Sequence, residues 1–296
     1  MKPPLIVCYG MGVDSTAMLV LLHQLGHKPD LIIFADTGGE KPETYAYLPI
    51  INKWLDSVGF PRVVVVSYKP PIANYTTLEG NCLDNQTMPS ISFNFIRKSC
   101  SQKWKAKTIN DYLLGVSRGP RKCDGWQPAL DAIALGINPV KLIGFDASPA
   151  DKRRATKTPC DFPPFVSAYP LQAEGLTRPK CVELIKSVGL PVPLKSACWF
   201  CAANQPWERY WLAAAHPDLF KRALLIELNW LTGKHKEKRQ SVRGLSAGVS
   251  WAEWGLAKGI INQAGQIIMA KARLYALAQE TMPGYEANFI PMAVKV

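Results

Sequence analysis

The chain has 296 residues, of which 48% are hydrophobic and 20% charged, and these fractions exclude a collagen-like, coiled-coil or wholly disordered protein. No stretch of about 18 apolar residues is present, and the first apolar run is too short for a signal-peptide core, so we expect no transmembrane helix and a cytoplasmic location. The formal net charge of +12 favours a polyanionic partner, which can be a nucleotide, tRNA or DNA.

The first part of the chain alternates between buried strands and helices. Short apolar runs at 5–9, 31–35 and 62–66 predict strands, and the segments 15–25 and 42–58 between them have helical patterns. Strands separated by helices of this length form right-handed βαβ units, which build a parallel sheet. The pattern therefore predicts a doubly wound α/β fold.

After the third strand, residues 70–94 are rich in Pro, Asn, Thr and Gly, which predicts a long loop or lid. The later segments are predicted as two strands (140–145 and 165–171) and five helices (103–114, 128–135, 177–188, 207–215 and 217–230). From residue 231 the pattern changes to loops and short helices, with a basic stretch at 234–239. We therefore predict an α/β domain over 1–230 and a helical C-terminal extension over 231–296.

A glycine-containing loop joins the first strand to the first helix. Gly10 and Gly12 let the backbone approach a ligand closely, and the helix that follows offers free N–H groups to a phosphate. Ser15 and Thr16 add hydroxyl donors. The alternative is a tight turn capped by Asp14. The loop lacks both the Gly-Lys-Ser/Thr of a Walker A motif and the third glycine of a dinucleotide fingerprint.

Polar segments also follow the second and fourth strands, at the sheet edge where open α/β sheets bind ligands. Asp36 and Thr37 follow the second strand, and an Asx-type turn is the alternative explanation for them. Gly144 follows the fourth strand and precedes Arg153 and Arg154, which could bind phosphate through paired hydrogen bonds. The alternative for this second segment is a solvated run of charges.

Eight cysteines in a chain of this length favour metal or redox chemistry over disulfides. Cys198 and Cys201 form a Cys-x-x-Cys motif, which can chelate an iron–sulfur cluster or zinc, act as a redox dithiol, or simply be buried. Cys100 lies in a segment rich in basic residues that includes Lys103; its alternative reading is a solvated helix start.

These motifs together resemble the PP-loop ATP pyrophosphatase superfamily, and within it the phage and prophage members of the PAPS (phosphoadenosine phosphosulfate) reductase-like group. The loop 10–16 resembles Ser-Gly-Gly-x-Asp-Ser, with Gly10 and Met11 at the two departures, and 34–44 resembles the Asp-Thr-Gly…Pro-Glu-Thr segment. Residues 97–105 are similar to a cluster-ligating segment of iron–sulfur reductases, although Ser99 replaces its first cysteine. The stretch 177–191 resembles the phage proteins.

The resemblance implies a Rossmann-like fold, an adenine nucleotide (ATP or PAPS), Mg²⁺ and an iron–sulfur cluster. The residues it implies for nucleotide binding are Gly10, Gly12, Asp14, Ser15, Thr16, Asp36, Thr37, Gly144 and Arg154, and those for catalysis are Asp14, Ser15, Lys103 and Arg153. The cluster ligands it implies are Cys100, Cys181, Cys198 and Cys201, with Cys160 and Cys123 as alternatives to Cys181. Zinc fits the same thiols.

Two reactions follow from the resemblance. The first is ATP-dependent adenylation of an acceptor, which can be tRNA or DNA, followed by transfer of sulfur or nitrogen with a sulfur-donor protein as a further partner. The second is reduction of PAPS, which in the family uses a cysteine near the C-terminus, whereas this chain has no cysteine after Cys201. We therefore favour adenylation with sulfur transfer. A third alternative is a nucleic-acid-binding protein that keeps a degenerate nucleotide fold.

Overall fold

The computed structural model describes residues 2–70, 74–89, 100–117, 122–157, 164–233, 244–246 and 248–283. Its strands are β1 (Leu5–Cys8), β2 (Leu31–Asp36), β3 (Val63–Ser67), β4 (Val140–Ile143) and β5 (Val166–Ala168). They form one parallel sheet in the order β3-β2-β1-β4-β5. The prediction of a doubly wound parallel sheet is confirmed.

The described ranges contain twelve α-helices, and those at 78–84, 149–157 and 170–173 were not predicted from the sequence. The twelve helices are α1 (Val13–Gln24), α2 (Pro42–Ser57), α3 (Leu78–Asp84), α4 (Lys107–Leu114), α5 (Gln127–Ala134), α6 (Pro149–Lys157), α7 (Pro170–Ala173), α8 (Arg178–Ser187), α9 (Pro206–Ala215), α10 (Pro217–Thr232), α11 (Trp251–Ala257) and α12 (Lys271–Thr281). A π-helical segment, Ser101–Ala106, leads directly into α4.

The central strands are buried on both faces, which explains their continuous apolar sequences. Alternate residues of β1 enter different cores: Val7 packs with α1, α2 and α8, whereas Ile6 packs with α4 on the opposite face. Phe34 and Ile33 divide in the same way in β2. Because every strand pair is parallel, the carboxyl ends of the strands lie at one edge.

The strand order reverses between β1 and β4. From β1 the chain builds outward through β2 to β3, and it then returns to place β4 on the other side of β1. In open α/β sheets such a switch point separates the loops that follow the strands and leaves a crevice between them. In this chain the loops after β1 and β4 flank the switch point.

The prediction of a long loop over 70–94 is wrong for its middle part, because residues 78–84 form α3. Thr77 caps the start of this helix: its Oγ1 accepts a hydrogen bond from the Gly80 N–H at 3.0 Å and so satisfies an unpaired donor of the first turn. Residues 71–73 and 90–94 of the predicted loop lie outside the described residues.

A second core lies beyond the sheet and is rich in tryptophan. It contains Trp207 and Trp211 of α9 together with Trp251 and Leu274 from the C-terminal segments, and α12 packs along α9. This core therefore includes residues from both sides of the predicted boundary at residue 230, and the division into two domains stays a prediction. None of the helices in the described ranges combines the length and apolar character needed to cross a membrane.

Candidate functional site

The loop between β1 and α1 is organised around the hydroxyl of Ser15. Ser15 Oγ accepts hydrogen bonds from the N–H groups of Gly10 (3.2 Å) and Gly12 (3.3 Å) and donates to the Gly12 carbonyl (3.2 Å). The intervening Met11 is fully buried and has a φ of 54°, a left-handed conformation that is unusual for a residue with a side chain. The buried Met11 side chain anchors the loop, and the predicted residues Gly10, Gly12 and Ser15 lie together.

Thr16 differs from the other predicted loop residues because it lies in the core. Its side chain is fully buried, and its hydroxyl is 3.0 Å from the Tyr9 hydroxyl. The hydroxyl is therefore engaged inside the protein, and the role of Thr16 in phosphate binding stays a prediction.

Asp14 forms an ion pair with a residue that the sequence did not single out as a site residue. Arg178 Nη1 lies 2.5 Å from Asp14 Oδ2, and both side chains are largely buried. Burial raises the pKa of Asp14; Arg178 opposes this shift, and the nearby Asp146 and Asp151 add to it. Arg178 lies in the first turn of α8, where the helix dipole disfavours positive charge. This unfavourable position is the feature of the sequence that could have indicated an acidic partner for Arg178.

The loop after β4 approaches the start of α1 more closely than a side chain would allow. A β-carbon built on Gly144 would lie 2.8 Å from Ser15 Cα and 2.9 Å from Ser15 N. Gly144 is therefore required as a glycine because two backbones meet there. This contact joins the predicted residues Gly144 and Ser15 at the switch point of the sheet.

The two arginines predicted near this edge lie on α6. Arg154 is paired with Asp151 at 2.6 Å and its guanidinium covers the Phe145 ring at 4.3 Å from the ring centroid. Arg153 is exposed on the same helix. The structure therefore places Arg154 against the loop that follows β4, whereas Arg153 faces solvent.

Asp36 and Thr37 turn the chain sharply after β2. Asp36 Oδ1 accepts hydrogen bonds from the Gly38 N–H (2.8 Å) and from the Tyr45 hydroxyl (2.7 Å), which is the Asx-type turn considered from the sequence. Thr37 is buried, and its Oγ1 lies 3.3 Å from Cys198 Sγ. The turn after β2 therefore contacts the Cys-x-x-Cys segment directly.

The segment 195–201, which we call the thiol loop, lies across the ends of β1 and β2. The Trp199 N–H donates to the Gly39 carbonyl at 2.9 Å, and the Cys201 N–H donates to the Cys198 carbonyl at 2.9 Å, which closes a turn between the two cysteines. On its other side, a β-carbon built on Gly12 would lie 2.7 Å from Ser196 Oγ. The thiol loop therefore contacts both the loop after β1 and the turn after β2.

A buried ion pair lies beside the thiols. Lys105 Nζ is 2.7 Å from Glu40 Oε1, and the Glu40 side chain is completely buried. Burial opposes the charge of Lys105, but Glu40 and the two thiols of the Cys-x-x-Cys motif together raise its pKa. Sequence reasoning selected Lys103 instead, which is exposed and lies over the ring of Tyr68 at 5.3 Å.

A second buried carboxylate holds the thiol loop in place. Glu208 of α9 lies 2.6 Å from Lys41 Nζ and 2.5 Å from Lys195 Nζ, and the side chains of Glu208 and Lys41 are almost inaccessible to solvent. Lys41 Nζ also donates to the Lys195 carbonyl at 3.1 Å. We call this set the Glu208 clamp; it ties the thiol loop to the segment that follows β2.

The four cysteines predicted as cluster ligands are not brought together. Cys198 lies in the tryptophan-rich core, and Cys201 and Cys100 pack against that core, with Cys100 near Cys82. Cys181 instead lies in the core between α1 and α8, where burial raises its pKa to about 12. Cys181 occupies the face of α8 that packs on α1, so it does not join the other thiols.

The alternative ligands do not complete a metal site either. Cys123 Sγ donates to the Asp111 carbonyl at 3.1 Å, and Cys160 lies outside the described residues. No group of three or more His, Cys, Asp or Glu side chains in the ranges that the structure describes is arranged to hold a metal ion. Within these ranges the cysteines do not form a complete cluster or zinc site, and we assign no chemical step to a metal.

The two thiols of the Cys-x-x-Cys motif differ in their surroundings, which predicts different reactivity. Cys198 is buried, and burial followed by the Glu40 charge raises its pKa well above the usual value, whereas Cys201 is partly exposed. Because the thiolate is the reactive form, we expect iodoacetamide to modify Cys201 at least about tenfold faster than Cys198.

Mass spectrometry of the peptides after timed alkylation would measure both rates. The fully buried Cys181 provides a slow internal reference in the same sample. Equal rates at Cys198 and Cys201 would contradict the assignment of Cys201 as the accessible thiol.

No protein-family model matches the chain, and no curated protein matches it. Among solved structures, the chain is similar to the U34-tRNA thiolase NcsA from Methanococcus maripaludis with its [4Fe-4S] cluster, at 13% sequence identity and a TM-score of 0.40. That similarity covers 85% of this chain and 79% of the thiolase.

Proposed function

We propose that this chain is a PP-loop nucleotide enzyme that uses ATP to adenylate an acceptor and then transfers sulfur to it. One observation carries the proposal: the loop after β1, the turn after β2 and the thiol loop meet at the carboxyl edge of one parallel sheet. The contacts are those between Gly12 and Ser196 and between Thr37 and Cys198. Ligands of open α/β sheets bind at this edge.

The loop 10–16 holds the phosphates in this proposal. The N–H groups at the start of α1 favour negative charge, and the Ser15 hydroxyl fixes the loop by accepting hydrogen bonds from Gly10 and Gly12. Arg178, held against Asp14, places a positive charge at the same end of α1. Asp36 lies at the neighbouring strand end, where the resemblance places the adenosine.

The reaction proceeds in two displacements. An acceptor oxygen bonds to the α-phosphorus of ATP while the bond from that phosphorus to the bridging oxygen breaks, and pyrophosphate leaves with both electrons of the broken bond. A sulfur nucleophile from a donor protein then bonds to the acceptor carbon, and AMP leaves with the former acceptor oxygen. Fixed N–H groups and cations stabilise the charge on the transferring phosphoryl group.

The thiol loop makes sulfur the favoured second nucleophile. Cys201 is partly exposed and follows directly from residues that contact the phosphate loop and the turn after β2. This position places a thiol beside the loop that holds the phosphates in the proposal. The net charge of +12 supports a tRNA or DNA acceptor, because polyanions are attracted by such an excess.

The direct test compares turnover of α-labelled ATP and sulfur-labelled PAPS under anaerobic conditions, with tRNA, DNA or no acceptor added. We expect AMP and pyrophosphate from ATP, stimulated by one nucleic acid, with Ser15→Ala strongly reduced and Ser187→Ala unchanged. Ser187 is the matched control because it is an exposed serine of α8. Sulfite release from PAPS without ATP cleavage would instead establish sulfonucleotide reduction, and salt-sensitive nucleic-acid binding without turnover would establish a binding protein.

A further inference from the structure

The thiol loop places a second hydroxyl at the entrance of the phosphate loop. A β-carbon built on Gly10 would lie 3.6 Å from Ser15 Oγ and 3.7 Å from Ser196 Oγ, so the two hydroxyls flank the same position. A β-carbon on Gly12 would come within 2.7 Å of Ser196 Oγ. The absence of a side chain at Gly12 therefore makes room for a serine that is more than 180 residues away in sequence.

The hydroxyls of Ser15 and Ser196 differ in exposure and in hydrogen bonding. Ser15 is buried, and its oxygen is already used by the N–H groups of Gly10 and Gly12. Ser196 is partly exposed, and its hydroxyl lies beside Gly12. A ligand that binds the backbone of Gly10–Gly12 is therefore within reach of the Ser196 hydroxyl.

The position of Ser196 is held by its neighbours on both sides. The preceding Lys195 is fixed twice, since its ammonium lies 2.5 Å from Glu208 and its carbonyl accepts a hydrogen bond from Lys41. Two residues later, Cys198 lies against Thr37. A side chain between two fixed points needs little reorganisation to bind, which is the condition for an effective binding group.

We propose that Ser196 is a phosphate-binding residue: its hydroxyl donates a hydrogen bond to the phosphate chain of the nucleotide held by the loop 10–16. This inference rests on the proposed nucleotide function and extends the site to a segment outside the loop itself. The same segment bears Cys198 and Cys201, so the nucleotide and the thiols share one binding surface. Ligand phosphates therefore contact the thiol loop through Ser196.

The test measures equilibrium binding of ATP and of adenosine to the full chain and to Ser196→Ala. A hydrogen bond to a charged group is lost with ATP alone, so we expect ATP to bind about tenfold or more weakly while adenosine binding is unchanged. The matched control Ser187→Ala removes a serine hydroxyl on α8 and should leave both affinities unchanged.

A second variant tests the position of the hydroxyl rather than the identity of the residue. Gly10 has space for a β-carbon, because the nearest atoms would be 3.6 Å away. We expect Gly10→Ser to restore most of the ATP affinity that Ser196→Ala loses, since its hydroxyl would extend from a β-carbon 3.7 Å from the position of Ser196 Oγ.

Each outcome separates this inference from the proposed function. If the unaltered chain binds ATP and Ser196→Ala binds it equally well, the role of Ser196 is overturned and the proposed function stands. If Ser196→Ala weakens ATP and adenosine alike, the residue acts on the fold and not on phosphate, which also overturns the inference. If the unaltered chain binds no ATP, the proposed function and this inference fail together.

Discussion

Replacing Glu208 by glutamine is expected to destabilise the protein by about 3 kcal/mol or more, because it breaks a buried ion pair and leaves a buried ammonium without its counter-charge. Lys41 is the critical partner: its side chain is 1% exposed, and it lies 2.6 Å from the Glu208 carboxylate. Glutamine has nearly the same shape, so the loss reports the charge and not the packing. Urea denaturation at neutral pH measures the change.

The pH dependence of the same variant provides an independent check. Burial alone would raise the pKa of Glu208, but the ammonium groups of Lys41 and Lys195 outweigh it and lower the pKa. The stabilisation is therefore present above the unfolded value of about 4.3 and is lost as the pH falls through the lower folded value. We expect the stability difference between Glu208→Gln and the unaltered chain to shrink as the pH is lowered below about 4.

A matched control distinguishes this effect from the loss of any carboxylate. Glu280 forms an exposed pair with Arg273, with 56% of the Glu280 side chain accessible, so Glu280→Gln should cost no more than about 1 kcal/mol. Similar losses for the two variants would contradict the view that the Glu208 clamp is a buried structural element.

Substituting alanine for Gly144 is expected to destabilise the protein by about 1–3 kcal/mol, because the added methyl group overlaps backbone atoms that cannot rotate away. The nearest atoms would be Ser15 Cα at 2.8 Å and Ser15 N at 2.9 Å. Relief requires the start of α1 to move away from β4. This movement displaces Ser15 from Gly10 and Gly12, so we also expect ATP to bind at least about tenfold more weakly.

Gly10→Ala is the steric control for this experiment. A β-carbon at Gly10 would approach no atom closer than 3.6 Å, so its unfolding free energy should change by less than about 1 kcal/mol. Denaturation curves of both variants test the stability, and calorimetric titration with ATP tests the loop in Gly144→Ala. If Gly144→Ala is as stable as Gly10→Ala, the close approach of β4 to α1 is not a constraint in solution.

The two predictions concern different supports of one site. Gly144 sets the distance between the loop after β4 and the start of α1, and the Glu208 clamp sets the position of the thiol loop. Loss of either support is expected to weaken nucleotide binding without removing any group that contacts the nucleotide.

The local sequence by itself determined the strands, most helices and the parallel, doubly wound class of the sheet. Runs such as 31–35 are apolar at every position because β2 is covered on both faces, and this pattern depends only on neighbours in sequence. The loop 10–16 was also recognisable, because the conformations and N–H groups it needs are properties of a short segment. The helix at 78–84 was missed because turn-forming residues dominate the composition of 70–94 and conceal the capped segment within it.

The tertiary structure decided which side chains meet at the site. Several contacts at the site join residues that lie 65 to 184 positions apart along the chain. They are the contacts of Lys105, Arg178, Ser196 and Glu208 with Glu40, Asp14, Gly12 and Lys41, respectively. No local sequence pattern predicts such pairs. Cys181 shows the converse, since its place in the sequence suggested a partner of Cys198 and Cys201 but its face of α8 packs on α1. Sequence spacing determines which face of an element a residue occupies, whereas packing between elements determines what that face touches.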